Sequence, residues 1–179
     1  MNLNRIAKFE KVSFEQFKKD WIACFLAETT DLDMEEVEKS IRKIYDNIKL
    51  PERSTTKSAG HDIFSPCDYY IEAHSSILIP TGINCSLKDN LVLLIFPRSG
   101  LGVKNRFVPS NLVGVIDADY IDSQNQGHIF MKMVNEGDKD VLLKQGQAFC
   151  QGIIVQYFVA DDDEVTSKRD GGFGSTDKI

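Results

Sequence analysis

Residues 69–98 read YYIEAHSSILIPTGINCSLKDNLVLLIFPR. Three runs rich in Ile, Leu, Val and aromatic residues, 69–73, 76–83 and 91–98, are closed off by Ser, Gly, Asp and Asn, which is the pattern of short strands with turns between them. The same texture continues downstream in LVGVID (112–117), HIFMKMVN (128–135), VLLK (141–144) and AFCQGIIVQYFV (148–159). Strands in unbroken succession predict an all-β sandwich or barrel, because a parallel sheet would need a helix-length segment between successive strands. The segment Glu136-Gly137-Asp138 predicts a hairpin joining two of these runs.

Ahead of Pro51 the periodicity is different. Ser13 with Gln16 forms a capping-box pattern, and Phe14, Phe17, Trp21 and Phe25 recur at helical spacing until Thr29 and Thr30. Asp33 with Glu36 starts a second helix, whose apolar face is Met34, Val37, Ile41, Ile44, Tyr45 and Ile48. The chain therefore divides into an N-terminal helical extension at 1–49, a β core at 50–160 and a C-terminal arm at 161–179. That arm opens on the acidic run Asp161 to Glu164, a solvated linker.

With 179 residues and a formal net charge of −6, the chain is one globular domain with an appendage, and it has no basic run for nucleic acid or a membrane surface. No apolar stretch approaches the roughly 18 to 20 residues of a membrane-spanning helix, and MNLNRIAKFEKVSF lacks a signal-peptide apolar segment, so the expected setting is the cytoplasm. Cys24, Cys67, Cys85 and Cys150 are widely spaced and read as reduced, packed thiols; His61, His74 and His128 join no zinc-binding pattern.

Five segments carry candidate chemistry. SAGHDIFSP sets Asp62 after a glycine turn, and FPRSGLG sets Arg98 and Ser99 at a strand end, before a loop kept open by Gly100 and Gly102. NLVGVIDADY sets Asp117 and Asp119 in a tight turn beside Tyr120. KQGQAFCQGII buries the polar Gln151 in an apolar run, where its amide must find a partner. The terminal GGFGST has no lysine before its Ser-Thr and no room for a following helix, which excludes a P-loop and a dinucleotide fingerprint.

In this order the five segments resemble the five motifs of the trimeric dUTP pyrophosphatase (dUTPase) family over about residues 50–176, in a phage- or Firmicute-like form with an N-terminal helical leader. The resemblance implies a β jelly-roll homotrimer with sites at subunit interfaces, hydrolysing dUTP to dUMP and diphosphate with Mg²⁺. It implies Asp117 as general base, and Arg98, Ser99, Gly100 and Gln151 as the triphosphate grip. Asp62 lies in the outer shell of Mg²⁺, through water. Asn111 and the backbone running into Ile129 and Phe130 meet uracil, and Tyr120 packs on deoxyribose. The glycine-rich arm closes over the nucleotide of another subunit, with Phe173 on the base, Arg169 on the terminal phosphates, and Gly174, Ser175 and Thr176 assisting. The chain departs from the family pattern at His61, in the longer hairpin Ile121 to Gln126, in the spacing of Arg169 to the glycines, and at Asp177. Two alternatives are a dCTP deaminase-like enzyme of the same fold and a dUTPase that binds a regulatory protein through its N-terminal extension. The deaminase needs a glutamate where this chain offers Asp117 and Asp119.

Overall fold

Strand and helix follow the periodicities just described. The computed structural model describes residues 6–29, 32–167 and 169. In chain order it contains β1 (Ala7–Lys11), α1 (Phe14–Phe25), α2 (Met34–Asp46), β2 (Glu52–Arg53), β3 (His61–Phe64), β4 (Tyr69–Ile71), β5 (Ser76–Pro80), β6 (Ile83–Leu87) and β7 (Leu91–Pro97). It continues with α3 (Ser99–Asn105), β8 (Phe107–Pro109), β9 (Gly114–Ile116), a 3-10 turn at Ala118–Asp122, β10 (Phe130–Asn135), β11 (Val141–Leu143) and β12 (Ala148–Gln156).

Every strand pairing among the described residues is antiparallel. The largest sheet runs β2-β3-β12-β7-β9; beside it lie β5-β10-β8, β1-β6 and β11-β4. The mainly β, jelly-roll reading therefore holds. The inward faces close over wholly buried Ile63, Ile79, Leu93, Ile95, Met133 and Phe149, whose removal from water is the dominant favourable term.

Two expected connections differ from the sequence reading. The run SILIPTGI is two strands in two sheets, broken at Gly82, which has φ 74. Nor is Glu136-Gly137-Asp138 a hairpin, since β10 pairs with β5 and β8 whereas β11 pairs with β4. The buried Asn135 explains the crossing. Its Nδ2 donates to the carbonyls of Glu72 at 3.0 Å and Lys139 at 2.9 Å, tying the connection to the start of a different sheet.

Both expected helices form. Ser13 Oγ accepts from the Gln16 N–H and Asp33 Oδ1 from the Glu35 and Glu36 N–H groups, satisfying first-turn donors that have no partner inside the helix. The sequence reading missed β1, which precedes the helices and pairs with β6 through Ala7↔Leu87 and Phe9↔Cys85. Its alternation of Ala7 and Phe9 with Lys8 and Glu10 is a strand pattern only five residues long. The helical pair thus leaves and re-enters the β structure. It docks through an aromatic cluster in which Phe17 lies 5.4 Å from Trp21 and Trp21 6.4 Å from Tyr69. Phe17 is wholly buried. Phe17→Ala is expected to destabilise the chain by about 3–5 kcal/mol, the range for emptying a buried phenylalanine site, read from the urea midpoint with unchanged slope.

Candidate active site

One group of candidate side chains gathers where β3, β12 and β7 run together. Asp62 and Phe96 are both register partners of Gln151, and the chain then passes through Pro97 to Arg98. This brings the Arg98 guanidinium to the Asp62 carboxylate, Nε to Oδ1 at 3.2 Å, while Ser54 Oγ donates to the other Asp62 oxygen at 2.9 Å. Gln151 Nε2 donates to the Pro97 carbonyl at 3.3 Å, answering the demand of a polar group in an apolar run. Gly60 lets the chain pass close to the Gln151 amide. A Cβ at that position would stand 2.7 Å from Gln151 Oε1.

The segment after Arg98 is helical, which corrects the expected open loop. Gly102 N–H donates to the Arg98 carbonyl at 2.8 Å, and the turn ends where Arg106 adopts φ 51 and its N–H reaches Leu101 O. Arg98 is the N-cap and no side chain caps the first turn, so Ser99 and Gly100 present their N–H groups at the helix start. A Cβ on Gly100 would meet nothing within 4 Å, so the position is open to an approaching group.

The second group forms at the end of β9. Asp117 caps the 3-10 turn with backbone only, leaving its carboxylate half-exposed like that of Asp119. Tyr120 is buried, and burial pushes its phenol above the ordinary range. Its hydroxyl donates to the His128 carbonyl at 3.0 Å and accepts from Asn125 Nδ2 at 3.0 Å. Ile129 is wholly buried; its N–H donates to Ile83 O and its carbonyl accepts from Thr81 N and Oγ1, so its backbone is bonded into the barrel. Phe130 follows as the first residue of β10. Asn111 is exposed in the turn between β8 and β9. Its carbonyl accepts from the Val113 N–H at 2.7 Å.

Arg169 lies against its own chain's carboxylates. It pairs with Asp117 through Nη2 and with Asp119 through Nε at 2.8 Å, and its guanidinium carbon sits 5.6 Å from the centre of the Tyr120 ring. Bonds to these acids hold its guanidinium above the ordinary arginine range. Phe173, Gly174, Ser175 and Thr176 lie outside the described residues.

The two groups occupy opposite ends of β7. Ile116 is opposite Leu93 in an antiparallel pair, so the next residue, Asp117, falls level with Val92, six residues before Arg98. At about 3.3 Å per residue, Arg98 and Asp117 are roughly 20 Å apart along the strand. Among the described residues, no group of three or more His, Cys, Asp or Glu could hold a metal ion, and no helix is long and apolar enough to cross a membrane. Sequence reasoning passed over Ser54 in the first group and Asn125, Gly127 and His128 in the second. Their roles depend on partners distant in sequence or on turn geometry, and the motifs that contain or adjoin them showed neither.

Comparison with known proteins places this arrangement. The dUTPase family model matches residues 46–177. A deoxyuridine 5'-triphosphate nucleotidohydrolase of Lactococcus lactis is 41% identical over 132 residues, covering 72% of this chain and 88% of the relative. The crystal structure of a dUTPase from Streptococcus mutans superposes with a TM-score of 0.59 at 37% identity, covering 65% of this chain and 91% of that one. A Staphylococcus bacteriophage 80alpha dUTPase covers 93% of this chain and 99% of its own at a TM-score of 0.61; at 18% identity it speaks for the fold alone. The sequence match spans both groups of side chains and the β structure that separates them, and by it the chain belongs to the dUTPase family.

Proposed function

We propose that this protein hydrolyses dUTP to dUMP and diphosphate at sites shared between subunits of a homotrimer. The observation that carries the reading is the separation of its two groups of side chains. One end of β7 offers phosphate donors, and the other offers a half-exposed carboxylate beside a buried tyrosine. A nucleotide needs both at once. Two neighbouring chains supply them, and a closed three-fold ring repeats the arrangement without leaving an unmatched surface.

At the phosphate end, Arg98 and the N–H groups of Ser99 and Gly100 hold the triphosphate by charge-assisted and helix-start hydrogen bonds. Gln151 keeps one amide hydrogen on Pro97 and offers the second. Asp62 is a single carboxylate, already bonded by Arg98 and Ser54. It suits contact through water with a Mg²⁺ carried by the phosphates, since that ion is commonly bound by few carboxylates and keeps several waters. Mg²⁺ held there through water on Asp62 would supply stabilisation of negative charge on the phosphates.

At the nucleoside end, Asp117 orients a water and takes its proton as the oxygen attacks the α-phosphorus. The bond from that phosphorus to the bridging oxygen breaks, and diphosphate leaves. Arg169 must first release Asp117, and the terminal phosphates are the anions that draw it away. Phe173 then stacks on the base, with Gly174 and Ser175 closing the arm over a neighbouring subunit's site. Tyr120 walls off a ribose 2′-OH; Asn111 and the segment running into Ile129 and Phe130 form the uracil slot. Residues 50–160 act as the catalytic body and 161–179 as the arm. The leader 1–49 carries the helical pair, and a partner protein would meet the outward face of α2, where Glu35, Glu36 and Lys39 pair with one another in solvent. Free thiols at Cys24, Cys67, Cys85 and Cys150 suit a reducing cytoplasm.

Pyrophosphate release from dUTP, UTP, dTTP and dCTP, with and without Mg²⁺, tests the reading. Turnover of dUTP alone, dependent on Mg²⁺, is expected. Equal turnover of all four nucleotides refutes it.

A further inference from the structure

Helix α1 reaches the nucleoside end of the site through contacts that the reaction scheme does not use. Residues 125–128 form a reverse turn in which the His128 N–H donates to the Asn125 carbonyl at 3.1 Å. Gln126 and Gly127 both have positive φ, 59 and 66, the pattern of a type I′ turn. Glycine suits that backbone, and a Cβ on Gly127 would stand 2.8 Å from Ile121 Cα. A glutamine there is strained and needs holding.

Its backbone is held within the core, where the Gln126 N–H donates to Ser123 O at 2.8 Å and its carbonyl accepts from Asn84 Nδ2 at 2.9 Å, and its side chain is held by α1. Gln126 Oε1 accepts from the Ser13 N–H at 2.8 Å, and its Nε2 donates to Ser13 Oγ at 3.0 Å. Two helical turns later Asp20 Oδ2 meets His128 Nδ1 at 2.6 Å, with the histidine side chain wholly buried and the aspartate 14% exposed. Geometry fixes the tautomer. Gly82 N–H donates to His128 Nε2 at 2.8 Å, so that nitrogen carries the lone pair and Nδ1 carries the proton that goes to Asp20. Gln16 Nε2 donates to the same Asp20 oxygen at 2.8 Å. The His128 carbonyl, on the far side, accepts the Tyr120 hydroxyl.

We infer that Asp20 is a positioning residue for nucleoside recognition: through His128 it fixes the 125–128 turn and the ring of Tyr120, so that the helical pair tunes selection of the sugar and base. The inference rests on the reading of residues 120–130 as the nucleoside slot. Without Asp20, a buried N–H loses its acceptor. Moving the proton to Nε2 would oppose the Gly82 N–H, so the turn itself has to shift. Chemistry at the α-phosphorus depends on Asp117, which α1 does not touch through these bonds.

The test is steady-state hydrolysis of dUTP and UTP by full-length wild type, Asp20→Ala and Asp20→Asn. Asp20→Ala is expected to raise KM for dUTP about tenfold, as for a buried donor left unpaired, with kcat near wild type and a reduced preference for dUTP over UTP. Asp20→Asn keeps an amide oxygen to accept from Nδ1–H and is expected to recover most of the loss, which a charge-only role would not allow. Fluorescence of Trp21, buried next to Asp20 on α1, reports whether the helix stays docked. A docked Asp20→Ala with wild-type KM and wild-type preference overturns the inference. A wild type that releases no pyrophosphate from dUTP instead overturns the functional reading beneath it. Should Asp20→Ala fail to fold, Asp20→Leu fills the space of the carboxylate with a strong helix former that offers His128 Nδ1 no acceptor. A rise in KM for dUTP supports the inference, and an unchanged KM overturns it.

Discussion

Asp117→Asn is expected to lose about 10²- to 10⁴-fold in kcat, the range for removing a general base, with KM for dUTP close to wild type. Asparagine keeps the shape and can still orient a water, but it cannot accept the proton that the water must shed. The fold should be indifferent to the change, because the Asp117 side chain is half-exposed and makes no cap hydrogen bond to the turn it precedes. Arg169 retains Asp119 as a partner. The measurement is single-turnover hydrolysis beside thermal melting. Near-wild-type turnover in a folded variant removes Asp117 from the mechanism.

The second large effect is a rescue. Arg98→Ala loses a charged phosphate donor and is expected to fall about 10- to 100-fold in kcat/KM. Each variant alone is poor because every site in its trimer lacks one part. Unfolded and refolded together at equal amounts, Arg98→Ala and Asp117→Asn chains should regenerate both parts in about a quarter of all sites, roughly one site in each mixed trimer, raising activity well above either parent. The reason lies in β7, which puts the two residues roughly 20 Å apart, beyond the reach of one triphosphate held by a single chain. Mixed trimers that show only the average of the two parents would mean that one chain supplies a whole site.

Strand and helix identity were legible because both depend on neighbours. Phe14, Phe17 and Trp21 recur on one helical face, and the run 91–97 is apolar because both faces of β7 are buried or half-buried along its length. Asp62, Arg98 and Gln151 could be singled out as candidates because glycines, strand ends and a polar residue in an apolar run are local anomalies, and the structure joins them through Arg98–Asp62 and the Gln151–Pro97 bond. Pairing was not legible. The segment 136–138 has hairpin composition, yet Asn135 carries the chain to a different sheet through bonds to Glu72 and Lys139.

By itself, then, the sequence determined the helical pair with its caps, most of the strand segments though not β1 or α3, and which residue types could serve phosphate chemistry, since these are set by side chains within a few positions of each other. Only the tertiary structure decided the rest. It divided the candidate residues between two ends of one strand, closed Arg169 onto Asp117 and Asp119, and bound Asp20 of the helical pair to His128 across 108 intervening steps of chain. Such contacts exist only after the barrel has closed, because each partner's position is fixed by the packing of a different element and by no rule that acts along the chain.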